Sequence, residues 1–441
     1  MSISETIQTI QDNPAALESL YRETQQSSDE ERFKEAVEDL YRSNSGSILL
    51  QAWHYRLTFE SVGEAVTGSI NWALAGILSI VTGLVFCALS DEDLILLNNL
   101  PALLPLWAPV ATLFILGFLS SGEPAKRRRA LIFGGSLSLI TLYVLLISRL
   151  DFRFQEQYTD LIFLHLPLLS WAAVGLIVST FSSDPLAVHV SRFAFIRKSI
   201  EVFVTGGLYL IAGMIFGGIT IGMFEALDVT LPDQLMLRIA AGGAGLLPVI
   251  AVASVYDASQ PPEKQWFGQG VGRLVPILTQ LLLPLSLIVL LIYLVVIPFN
   301  FYGPFRDRDV LIVYNVMLFA VMGLLVGVTP IKQEDIVPVL RPWVRRGVVT
   351  LAALAVLVGL YALAAVITRT VEGGWTVNRV TVIGWNTINI GLLINIAFAQ
   401  LRLKDGDWTN ALKQVFGKGA IVYVAWTLGL MLLLPLVLAL T

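Results

Sequence analysis

The chain has 441 residues, 56% of them hydrophobic and only 14% charged, with a net charge of −4. Soluble domains carry about 25% charged residues, so this composition argues against a water-soluble globule. The lack of a basic domain argues against nucleic-acid binding. A single cysteine, Cys87, excludes an internal disulfide. His54, His165 and His189 stand far apart, with no acid or cysteine at metal-ligand spacing, so neither a metal nor another cofactor is expected.

Residues 1–66 form a polar, acidic tail. It lacks the basic and then apolar pattern of a signal peptide, so the first membrane helix is expected to act as its own insertion signal. Asp12 and Asn13 predict a helix cap, with Pro14 in the first turn. Ser28 and Glu31 have capping-box spacing. The helix that follows carries one apolar face: Phe33, Ala36, Val37, Leu40 and Tyr41. The stretch from Ile48 to Phe59, with Trp53, Tyr55 and Arg56, reads as an interfacial segment. Two helices this short make no core of their own. Their apolar face is expected either to pack on loops of the membrane domain or to dock a protein partner or a second copy.

Eleven apolar runs follow, near 68–89, 100–120, 130–148, 161–181, 200–226, 234–256, 273–297, 309–329, 345–367, 379–401 and 417–440. A helix rises about 1.5 Å per residue, so each run can cross a hydrocarbon core of about 30 Å. The expected fold is all-α: a polytopic transmembrane bundle over 67–441, with the lipid bilayer as its partner. Loop charge orients it. With the tail taken as cytoplasmic, the loops on that side hold 17 Lys and Arg and those on the other side 7. The positive-inside rule thus places the N-terminus in the cytoplasm and, after eleven spans, the C-terminus outside. Trp107, Trp266, Trp343, Trp375 and Trp408 lie near predicted helix ends, where interfacial aromatics belong.

Gly213/Gly217 and Gly218/Gly222 in the fifth run, and Gly242, Gly243 and Gly245 in the sixth, suit close helix packing. The alternative is a mobile or discontinuous helix beside a transport path. Pro167, Pro248 and Pro284 are expected to kink their helices. Gly268 to Gly272 resembles a phosphate loop only superficially, because no strand precedes it; it reads as a flexible turn.

No nucleophile elbow, zinc-protease motif or pair of intramembrane carboxylates is present, so no enzyme is expected. The polar content of the spans is instead amide and hydroxyl. The tenth run is richest: Thr381, Asn386, Thr387, Asn389, Asn395 and Gln400. Asn386 and Asn389 share a face; Asn395 does not. Asn71, Gln280 and Asn315 add single amides elsewhere. These groups either bond between helices or line a pore or ligand site. The loop before the tenth run is the densest polar cluster: Arg369, Glu372, Gly373, Gly374, Trp375, Thr376, Asn378 and Arg379. It is either a clamp for an anionic headgroup or solute, or an ordered turn in which Arg–Glu pairs hold two helices together.

Arg369, Gly374-Trp375-Thr376 and Asn378-Arg379 resemble the pattern of a bacterial integral-membrane family catalogued as domain of unknown function 4153. That pattern has an Arg, a Tyr-Gly-Trp/Leu-Thr turn and an Arg that opens the next helix; Gly373 stands where the family has Tyr. Pro284-Leu285 through Tyr293 is similar to its proline-leucine helix, and Gly323 through Pro330 to its glycine-to-proline helix. The resemblance covers about residues 270–400. It implies a polytopic protein of the bacterial inner membrane and no particular activity. The functional expectation is a transporter or permease for a small polar or lipid-like molecule. The alternative is a scaffold, sensor or assembly subunit that recruits a partner through the tail.

Overall fold

The computed structural model describes residues 3–10, 13–26, 30–43, 47–66, 71–97, 100–150, 152, 154–180, 188–226, 232–267, 271–331, 339–403 and 408–440. Asp12, Ser28 and the loop 268–270 lie outside them. The chain divides into two compact units, Met1–Ile70 and Asn71–Thr441.

The first unit is four helices: α1 (Ile3–Ile10), α2 (Pro14–Gln26), α3 (Glu30–Ser43) and α4 (Ile48–Val66). Asn13 caps α2 by accepting from the Ala16 amide at 3.2 Å. The apolar face of α3 is covered within the unit itself. Phe33 and Val37 are buried with Leu17 and Tyr21 of α2 and with Leu50 and Trp53 of α4. The rings of Phe33 and Trp53 meet edge to face at 5.6 Å, the geometry that aromatic quadrupoles favour. Four helices thus supply the core that two could not. The uncovered face, which was the reason to expect a docking surface or a seat on membrane loops, is spent inside the unit. The stretch from Ile48 contributes to the same core. Leu50, Trp53 and Leu57 are its buried side, and Arg56 lies over the Trp53 ring and pairs with Glu18 at 2.5 Å.

The second unit turns the eleven apolar runs into helices. They are α5 (Trp72–Leu89), α6 (Leu103–Leu119), α7 (Pro124–Ile147), α8 (Gln155–Ser179), α9 (Val188–Ala226), α10 (Asp233–Val255) and α11 (Val271–Val296). After a short α12 (Gly303–Arg306) come α13 (Arg308–Val328), α14 (Arg341–Gly373), α15 (Val377–Arg402) and α16 (Trp408–Leu428). A π-turn, Gly429–Leu433, joins α16 to α17 (Leu434–Leu440). A two-stranded antiparallel ribbon, β1 (Ile95–Leu97) and β2 (Leu100–Pro101), connects α5 to α6. The protein is therefore a polytopic all-α membrane protein. Among the described residues, ten helices are long and apolar enough to cross a membrane; α6, with 17 residues, falls short of that length.

Contacts at the helix ends show that α6 nonetheless runs the full depth of the bundle. Asp91, just past α5, pairs with Arg238 at the start of α10 (2.6 Å). Lys126, at the start of α7, donates to the Ala258 carbonyl just past α10 (3.4 Å). Since α10 runs from the first of these ends to the second, α6 must do the same. The remaining helices alternate. Arg129 of α7 bonds Thr180 past α8; Arg345 of α14 bonds the Gln400 and Leu403 carbonyls at the end of α15 (2.8 and 2.6 Å); Lys413 of α16 bonds the Ile331 carbonyl past α13. The helical array thus begins and ends at opposite ends of the bundle. Among the described residues, Lys126, Arg129, Arg345 and Lys413 gather at the end where it begins.

The glycines of α9 and α10 behave differently. A Cβ on Gly245 would lie 2.8 Å from the Gly83 Cα and 2.9 Å from the Phe86 Cβ, and one on Gly83 would lie 2.8 Å from the Gly242 carbonyl oxygen. Glycine lets α5 and α10 touch backbone to backbone. Around Gly213, Gly217 and Gly218, by contrast, nothing lies within 4 Å, so the expected close packing of α9 is absent there. Phe216 beside them is 74% exposed, a surface that suits lipid rather than water. Of the five tryptophans placed at helix ends, Trp107, Trp266, Trp343 and Trp375 are exposed, whereas Trp408 is buried, its carbonyl accepting from Gln400 at 2.9 Å.

The α5–α10 contact gives a paired test. Gly245→Ala is expected to lower stability by about 1–3 kcal/mol because backbone must move. Gly243→Ala, with open space around its Cβ, is expected to be neutral or stabilising by up to about 1 kcal/mol through helix propensity. Equal melting temperatures for the two purified variants in detergent would refute the close crossing.

Candidate functional site

The loop before α15 folds on itself. Gly374 has φ +79°, the left-handed region that glycine enters without strain, and this lets α14 reverse into α15 within three residues. The Thr376 hydroxyl caps α15 by accepting from the Arg379 amide at 3.3 Å. Arg379 Nη1 donates to the Gly374 carbonyl at 2.6 Å. A Cβ on Gly373 would lie 2.8 Å from that guanidinium, so glycine makes room for it where the resembled family carries tyrosine. Among the described residues no ion pair joins Glu372 to Arg369 or Arg379. The turn is therefore held by an arginine on a carbonyl and not by the expected Arg–Glu staple. Trp375 is 70% exposed, Glu372 is exposed and Asn378 half-buried. Arg369 keeps one enclosed nitrogen, Nη1, without an acceptor.

The amides of α15 lie deeper. Asn389 is about 18 Å along a helix about 39 Å long, close to its midpoint. Asn386 and Asn389 are 1% and 0% exposed. Asn386 Nδ2 donates to Asn315 Oδ1 of α13 at 2.8 Å. Asn389 Oδ1 accepts from the Tyr423 hydroxyl of α16 at 2.5 Å. One turn away, Trp385 Nε1 donates to His165 Nε2 of α8 at 3.1 Å, while His165 Nδ1 faces the Leu161 carbonyl at 3.0 Å. With Nε2 accepting, the imidazole carries its proton on Nδ1 and is neutral. The indole also packs against Tyr423 (5.4 Å) and Phe319 (5.6 Å). Three helices, α8, α13 and α16, thus converge on α15 at mid-depth through neutral polar groups.

This network is incomplete. Asn386 Oδ1 and Asn389 Nδ2 are both buried and have no hydrogen-bond partner. One is an acceptor and the other a donor, and both lie on the same face of α15. Trp426 Nε1 of α16 is also enclosed without an acceptor, on a ring that sits against the bare backbone of Gly384. Buried polar groups are normally paired, and these two are not.

The other amides are ordinary. Asn395 is exposed on the opposite face, Asn71 caps α5 through the Leu74 amide at 3.0 Å, and Gln280 is half-buried. Thr381 and Thr387 bond carbonyls of their own helix. His165, Trp385 and Tyr423 had no sequence signal. Each is a lone residue in its run, and only the fold brings them together.

A second buried polar set went unforeseen because the fifth run begins earlier than its hydropathy suggests. α9 starts at Val188, so Lys198 joins Glu201 inside the helix, 4% and 2% exposed respectively. Lys198 Nζ donates to Glu201 Oε2 (2.7 Å) and to the Trp266 carbonyl (2.6 Å) and lies 5.2 Å from the Phe267 ring centre. Glu201 Oε1, on the far side of the pair, is enclosed without a donor. The loop behind is clamped by Gln265, which accepts from the Asp257 amide (2.9 Å) and donates to the Asp257 and Gln260 carbonyls (2.7 and 2.9 Å). Burial pushes the phenol of Tyr256 in that loop well above its usual range, and the Glu263 and Asp257 charges act the same way, so it stays neutral. Among the described residues, no group of three metal-ligating side chains exists. Comparison with family models, with curated protein sequences and with solved structures yields no match.

The ion pair makes an asymmetric prediction. Lys198→Met strands a buried carboxylate and is expected to lower stability by about 3–5 kcal/mol, whereas adding Glu201→Leu is expected to restore most of the loss. Thermal unfolding of the single and double variants checks it. A double variant less stable than the single one would show that the pair is not the unit described.

Proposed function

We propose that this chain is a permease-like protein of the bacterial inner membrane, with its tail on the cytoplasmic side, and that a small neutral polar molecule occupies the mid-span amide site. The observation that carries this reading is the pair of open groups on one face of α15, Asn386 Oδ1 and Asn389 Nδ2. A solute with both a donor and an acceptor, such as an amide or an alcohol, would complete the network. Trp385, Tyr423 and Phe319 would flank its apolar side. Charge is the wrong cargo for this site, because the network around it holds only neutral groups and an ion at that depth is expensive. The excess of basic loops at one end supports the orientation. The likeness of residues 270–400 to the family of unknown function 4153 supports a bacterial source. The scaffold reading loses the uncovered tail face that had favoured it.

Passage requires that water-borne molecules reach mid-depth, and the single cysteine permits a direct test. In a Cys87→Ser background, Asn389→Cys in sealed vesicles is expected to react with a small neutral hydroxyalkyl methanethiosulfonate at least about tenfold faster than Ala355→Cys, which sits fully buried in the core; that factor corresponds to about 1.4 kcal/mol. Equal, negligible rates at the two positions would mean a solid bundle and would sink the permease reading.

A further inference from the structure

Away from the amide site, α5, α6 and α7 enclose a groove of about 670 Å³. Its lining is polar at one end and apolar along its length. Ser120, Ser121 and Arg127 lie at the end where α7 begins; Leu113, Gly134 and Gly135 continue it inward. From Arg127 to Ser138, which closes it, the groove follows α7 for about 16 Å, or roughly the depth of one leaflet of a core about 30 Å thick. Its outer edge is open: Leu131 is 77% and Leu113 41% exposed. The glycines hold it open, for a Cβ on Gly134 would press on Leu113 at 3.0 Å, and one on Gly135 would point into empty space.

The polar end favours an anion. Glu123, the nearest carboxylate in sequence, pairs with Lys126 at 2.7 Å, and among the described residues no ion pair takes up Arg127. The Ser120 and Ser121 hydroxyls donate to carbonyls of their own helix (3.4 and 2.7 Å), so the free donor is the guanidinium. It stands in the first turn of a 24-residue helix, whose dipole has the same sign there.

We propose that this groove binds one anionic glycerophospholipid of the surrounding bilayer, its phosphate on Arg127 and one acyl chain along Leu113, Gly134 and Gly135. Charge complementarity at the head and an apolar trough of leaflet depth are the two matched features, and basic pockets between membrane helices are known to hold such headgroups. The site is independent of the amide cluster.

Native mass spectrometry of the full chain in detergent, titrated with dioleoyl phosphatidylglycerol or dioleoyl phosphatidylcholine, tests this. One phosphatidylglycerol per chain should be retained, about fivefold more tightly than phosphatidylcholine, the effect of one cationic contact. Glycerol 3-phosphate, the head without chains, should not be retained. Arg127→Gln should abolish the preference, and Gly135→Leu should weaken both lipids. Ser138→Leu fills the inner end of the groove and serves if Gly135→Leu does not fold. Equal retention of the two lipids by the wild-type chain, tight binding of glycerol 3-phosphate, or a preference that survives both Arg127→Gln and a folded groove-filling variant would overturn the proposal.

Discussion

Hydrocarbon offers a peptide group nothing to bond to, so every buried N–H and C=O of this chain must find its partner within the protein. That constraint decides why the apolar runs are helices, and it also decides what happens where a helix cannot close its own bonds. Pro435 has no N–H to give to the Met431 carbonyl four residues back. The structure answers with a π-turn over Gly429–Leu433 and with two outside donors. The Tyr158 hydroxyl of α8 bonds the Met431 carbonyl at 2.8 Å, and the Tyr143 hydroxyl of α7 bonds that of Leu432 at 2.9 Å. A sequence feature of the last helix thus fixes which neighbours it has: Tyr158 and Met431 are also the centre of a buried cluster that includes Val144, Ile162 and Leu97. Backbone need and core packing select the same arrangement.

Side chains obey the same constraint. Many serines and threonines in the spans return their protons to their own helices, as Thr82 does to Leu78, Thr141 to Leu137 and Ser179 to Gly175, although Ser79, Ser170 and Ser191 do not. They therefore carry little information about function, however polar they make a run look. Amides, indoles and imidazoles reach further and cannot be satisfied so locally. They join α8, α13, α15 and α16 at mid-depth, above a shared apolar core that includes Leu318, Leu351 and Leu393.

This difference sets what was legible in the sequence. Hydropathy over 18 or more residues sums many small transfer terms, so the spans could be read one by one, with α6 the marginal case in the count. Pairing the loops by charge anticipated the alternation that Arg238–Asp91 and Lys126–Ala258 display in space. Within the site, Asn386 and Asn389 were legible as one face because their spacing is local. His165, 220 positions from Trp385, was not, because one histidine in an apolar run has no periodicity to betray a partner. The tail was misread for a related reason: the face of α3 was judged with one neighbouring helix in view, whereas Leu50 and Trp53 of α4 complete its core. The Lys198–Glu201 pair was missed because the fifth run was taken to begin at 200; bonded to Glu201 and to the Trp266 carbonyl, Lys198 is tolerated within the helix.

The two buried polar sets, set side by side, bear on function. At Lys198 the protein sets the ammonium against a carboxylate, a carbonyl and a ring face, yet leaves Glu201 Oε1 without a partner. The same chain, in the same bundle, leaves Asn386 Oδ1 and Asn389 Nδ2 open one turn apart. Each open group costs about 1–3 kcal/mol, and a leucine at either position would remove that cost without adding a charge. Leaving them open at mid-depth, flanked by the indole of Trp385 and the phenol of Tyr423, is consistent with a site whose missing hydrogen bonds are supplied by what it binds.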